Sequence, residues 1–132
     1  MPHFIINGFD FGIDPTASEF RADGVTLDIK IVGSKVIMDE IMEADDHPWS
    51  WLLYPPFIFF RGLPYQPTTT GDFKRDISDN DLDEYDIALY ATEHCDVLPC
   101  SLVRIGNLLK IFGQVHQIEA HALDFDVEYD VP

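Results

Sequence analysis

The run Ala122–Val131, ALDFDVEYDV, alternates without a break: Leu123, Phe125, Val127, Tyr129 and Val131 interleave with Asp124, Asp126, Glu128 and Asp130. A period of two puts the apolar set on one face of a strand and the carboxylates on the other. The pattern predicts a half-buried β-strand whose wet face carries acids roughly 7 Å apart. No cation stands within the run, although like charges along a strand repel.

The rest of the chain repeats both themes. It has 132 residues, 24 acids against 8 Lys and Arg, and a formal net charge of −16. That length suits one domain spanning 1–132, and an apolar fraction of 46% places it far from the disordered regime. So strong an acidic excess disfavours nucleic acid, which requires a basic footprint, and an anionic membrane surface. It suits a basic protein or a cation. No apolar run reaches membrane-span length, and the start Met1-Pro2-His3-Phe4 lacks the basic and apolar regions of a secretory signal. A cytoplasmic protein with two reduced thiols, Cys95 and Cys100, is the expectation.

Read in order, His3–Ile13 is a first strand with a bend at its glycines, and Asp14-Pro15-Thr16 is a turn. Asp23-Gly24 signals a hairpin between Glu19–Ala22 and Val25–Val32, and Gly33-Ser34 signals another. Lys35–Ala44 supports two readings. A helix would align Ile37, Met38, Ile41 and Met42 behind Ser34 as N-cap. Against it, Glu43, Asp45 and Asp46 would crowd the negative end of its dipole, so a strand is preferred.

Phe57–Gly62 reads as a strand entered past Trp49, Trp51 and Tyr54, with Pro55-Pro56 as the break. Residues 64–84 form a long polar, acidic loop. Tyr85–Thr92 is a strand, and Ser101–Ile105 with Leu108–Val115 make a hairpin around Gly106-Asn107. The expected fold is all-β or β-rich α+β: an antiparallel sandwich or partly open barrel of roughly seven to nine short strands, with one helix near 35–44 as the variant.

Seventeen of the 24 acids fall in three groups, which is more than a mixed solvated surface needs. They are Asp39–Asp46, Asp72–Asp86 and Glu119–Asp130. Asp79-x-Asp81-x-Asp83 imitates the first ligands of an EF-hand loop, but Glu84 stands where that loop needs glycine and Tyr90 where it needs glutamate. His94, Cys95, Cys100, His116 and His121 lack the CxxC spacing of a zinc site. There is no GxSxG, GxGxxG or P-loop. No cofactor is implied, and a binding protein is favoured over an enzyme. The alternatives are a calcium-type module or enzyme using the clustered carboxylates, and a subunit of a larger assembly joined through Trp49–Phe60.

On the acidic segment Asp72–Asp86 and the acid-faced strand Leu123–Val131, the chain resembles the small immunity proteins of bacterial toxin–immunity systems. Members are often short, acidic, cytosolic and β-rich. The resemblance implies binding to a cognate toxin, often a cationic nuclease, with carboxylates standing in for the phosphates that the toxin binds. The expected contacts are Asp76, Asp79, Asp81, Asp83, Glu84 and Asp86 on an adaptable loop, and Asp124, Asp126, Glu128 and Asp130 as a rigid second site.

Overall fold

The structure, a computed structural model, describes residues 2–44, 52–91, 93–116 and 122–132. Trp49, Trp51, Asp45, Asp46, Glu119 and His121, which the sequence singled out, lie outside the described residues.

The strands are β1 (His3–Ile6), β2 (Phe9–Asp10), β3 (Glu19–Ala22), β4 (Thr26–Val32), β5 (Phe57–Pro64), β6 (Phe73–Ile77), β7 (Asp86–Ala91), β8 (Glu93–Val97), β9 (Cys100–Ile105), β10 (Leu108–His116) and β11 (Ala122–Asp130). The helices are α1 (Lys35–Glu43) and α2 (Asp79–Glu84). Every strand pairing is antiparallel. Nine strands run in the order β2-β1-β11-β10-β8-β7-β5-β4-β3 as one curled sheet, a half-barrel, with β9 and β6 branching from β10. The partly open barrel expected from the sequence is therefore the fold.

The alternating run Ala122–Asp130 forms β11, an interior strand of the sheet. β11 pairs with β1 on one side and along its whole length with β10 on the other. Phe125, Val127 and Tyr129 are buried, and the acids between them face outward. The inward residues of the other strands, among them Phe4, Ile29, Ile58, Phe60, Leu89, Leu102 and Ile111, complete one core. Burial of such side chains contributes about 1.5–3 kcal/mol each.

The branch point is Gly113. Leu108–Phe112 pair with β9, whereas Val115 and His116 pair with Val97 and Asp96 of β8. A Cβ at Gly113 would lie 2.6 Å from Cβ of Cys100, so only glycine lets β9 and β10 approach as the latter changes partner. Burial there pushes the Cys100 thiol up to about 12.

Several local expectations need correction. Lys35–Glu43 is a helix, not a strand. Ser34 adopts extended backbone and its hydroxyl accepts the Ile37 N–H, so Gly33-Ser34 is a cap rather than a hairpin turn. Met38 and Met42, one turn apart, are buried. Their burial at about 1.5–3 kcal/mol each outweighs an exposed anion at the C-terminus, which costs about 0.3–1 kcal/mol. His3–Ile13 is not one bent strand: Asn7 and Gly8 take positive φ, 51° and 84°, and form a two-residue hairpin between β1 and β2.

The run 64–84 is not one loop. It contains β6, which pairs with β9, and α2, whose Ser78 and Asp81 form a reciprocal capping box. The segment Glu93–Val97, unread in the sequence, is β8. No helix among the described residues is long and apolar enough to cross a membrane.

Candidate functional site

Strand register assembles a surface that the sequence could not. Ile5 of β1, Asp126 of β11, Phe112 of β10, Ser101 of β9 and Asp76 of β6 stand opposite one another in one cross-strand row. The next row holds His3, Glu128, Lys110, Val103 and Lys74. Asp124 and Asp130 extend the acid line on either side, opposite Gln114 and Leu108. The outward face of this half of the sheet thus bears five carboxylates against two lysines and two histidines, His3 and His116. Among them stand the exposed Phe112 and, at the end of β9, Ile105, 45% and 68% accessible.

The β11 carboxylates are not equivalent. Gln114 Nε2 donates to Asp124 at 2.9 Å. Lys110 Nζ lies 3.5 Å from Glu128, whose side chain is only 17% accessible. His3 sits between two acids, with Nε2 3.3 Å from Asp126 and Nδ1 4.0 Å from Glu128. Nε2 is shielded from solvent yet makes no aligned hydrogen bond, so its contact with Asp126 is one of charge, present when the ring is protonated. Asp130 has no side-chain partner among the described residues. A row that reads as uninterrupted acid in sequence is partly balanced by groups on β1 and β10.

The second expected site divides more sharply. Asp81 serves the fold. Both its oxygens accept from the Arg75 guanidinium at 2.9 Å, and it also accepts the Ser78 N–H. The Arg75 hydrogen bonds hold its carboxyl down at about 2, with the Ser78 bonds helping. Arg75 Nε also donates to the Pro64 carbonyl, tying β6 to the end of β5. Asp76 accepts the Ser101 hydroxyl at 2.8 Å and belongs to the sheet row above.

Asp79, Asp83, Glu84 and Asp86 are exposed. Asp79, Asp83 and Asp86 line an open groove of about 610 Å³ together with Asp96, His94 and the apolar Leu82, Ile87 and Val97. Reasoning from sequence missed Asp96 and weighed His94 only as a metal ligand. The signal was there: Cys95 and Val97 are buried while His94 and Asp96 point out, an alternation of period two. Because Asp81 turns to Arg75, the Asp79–Asp81–Asp83 spacing does not converge on an ion. No group of three or more acidic, histidine or cysteine ligands among the described residues is arranged to hold a metal.

No family model, curated protein or solved structure matches the chain. The reading of function therefore rests on this chemistry alone.

Proposed function

We propose that the protein binds and neutralises a basic protein, in the manner of immunity proteins that block nuclease-like bacterial toxins. The observation that carries this is the outward face of β1, β11, β10, β9 and β6, where Asp76, Asp124, Asp126, Glu128 and Asp130 outnumber Lys74 and Lys110 on strands fixed by pairing. Complementary potentials speed encounter with a cationic partner and exclude acidic competitors. Carboxylates held on a rigid sheet occupy the cationic groove of such a partner where phosphates would otherwise lie. Asp79, Asp83, Asp86 and Asp96 add a second acidic contact beyond the β8–β10 seam. The partner is a protein, not a nucleic acid or a membrane, because the field repels both.

The test is capture from the source cells on immobilised protein, eluted with a salt gradient. A basic protein released by rising salt is expected, since screening weakens exposed charge contacts. An empty eluate, or retention only of acidic or neutral proteins insensitive to salt, would remove the proposal.

A further inference from the structure

At the C-terminal end of β11 an apolar cavity of about 270 Å³ opens between Pro2, Ile13, Pro15 and Tyr129, with Asp130 in its wall. Asp130 is also the β11 carboxylate that no side chain among the described residues engages: Gln114 takes Asp124, His3 reaches Asp126, and Lys110 reaches Glu128. Burial raises the Tyr129 phenol, a second sign that this end of the strand is dry. An apolar slot beside an unengaged carboxylate, on a protein of net charge −16, matches one kind of side chain. That side chain has a long aliphatic stem and a single terminal cation.

We infer that this cavity is a subsite for a lysine side chain of the basic partner, its methylenes against Ile13, Pro15 and Tyr129 and its ammonium on Asp130. Lysine fits better than arginine. Its charge is compact and its stem is four methylenes long, whereas a guanidinium brings five donors to a wall with one carboxylate. The inference rests on the basic-partner reading and names where that partner's anchor enters.

The probe is the peptide acetyl-Gly-Lys-Gly-amide, titrated into the full-length protein while amide resonances are followed by NMR. Saturable shifts are expected at Ile13, Tyr129 and Asp130. Asp130→Asn should weaken binding roughly threefold, the scale of an exposed ion pair, and Glu40→Gln on the exposed side of α1 should leave it unchanged. The norleucine analogue, which keeps the stem and lacks the charge, should bind more weakly than the lysine peptide.

Shifts that never saturate and spread along all the acids would overturn the subsite. Equal binding of the norleucine peptide would do the same. Binding of free 1,5-diaminopentane without the peptide would overturn it in favour of a small-amine site. The probe is not the partner, so a failed titration removes the subsite and leaves the charged face standing. A positive titration beside an empty salt eluate removes the basic-partner reading alone.

Discussion

The two halves of the half-barrel wear opposite outer faces. On the half built from β1, β11, β10, β9 and β6, acids predominate and an aromatic ring, Phe112, stands exposed among them. On β3, β4, β5 and β7 the outward residues include Phe57, Phe59 and Tyr90, with Phe57 and Tyr90 stacked at 5.0 Å, whereas β8 between the two regions carries exposed Glu93 and Asp96. Lys30 lies over Phe57 and Arg61 over Phe59. Arg21, Lys30 and Arg61 there meet Glu19, Asp28 and Asp86 in the paired positions. A net charge of −16 therefore conceals one balanced face and one unbalanced face.

The aromatic face spends its rings and cations on itself, which is what a face contributing to stability does. The acidic face leaves carboxylates and the Phe112 ring exposed, as the proposed binding of a basic partner requires. Composition alone could not separate the two. Cross-strand register does, because it decides which residues become neighbours.

Five variants, compared in four experiments, sharpen or break that contrast, ordered by the largest effect expected in each. Gly113→Ala should cost the most, about 3 kcal/mol, because the added Cβ overlaps Cβ of Cys100 where β10 leaves β9 to pair with β8 across the seam. Urea unfolding measures it, and a loss under about 1 kcal/mol would mean the halves are not knit at that point. Tyr90→Ala should cost about 2 kcal/mol by removing the centre of the ring stack, against well under 1 kcal/mol for Phe112→Ala on the opposite face. Equal costs would erase the distinction between a structural and an available aromatic.

Arg75→Ala should cost about 1–2 kcal/mol, discounted for solvent screening, and should change the acid limb of the stability curve. Asp81 has its folded pKa held at about 2, below its ordinary 3.8. Its contribution is therefore complete above about pH 4 and is lost as pH falls through about 2. Thermal melts between pH 5 and 2 should show that loss in the native protein and a shallower one in the variant. Smallest is the double substitution Asp124→Asn with Asp126→Asn, which should alter stability by no more than about 0.5 kcal/mol. A larger loss in thermal melts would make these acids structural, as Asp81 is.

Much of this was legible in the sequence, and the reasons for the misses are physical. The alternation in Ala122–Val131 forecast the burial of Phe125, Val127 and Tyr129 correctly. β6 hid because Arg75 occupies the inward phase between buried Phe73 and Ile77, its guanidinium reaching away to Asp81 and Pro64. α1 was misread because a dipole penalty was weighed without the burial of Met38 and Met42 that exceeds it. Of the candidate site, the acids themselves were readable, but which of them the fold consumes was not. The capture of Asp81 by Arg75 and the shielding of Glu128 by Lys110 and His3 depend on folding and pairing that no local pattern encodes.

On the proposed function, the acidic face rather than the overall charge selects the partner. That selection is tested most directly by parallel capture on three immobilised proteins: native, the variant Asp124→Asn/Asp126→Asn/Asp130→Asn, and a charge-matched control, Asp39→Asn/Glu40→Gln/Glu43→Gln on α1. A basic protein should be released by salt from the native and control baits and be lost or strongly depleted on the β11 variant. The same protein retained equally on all three would contradict it.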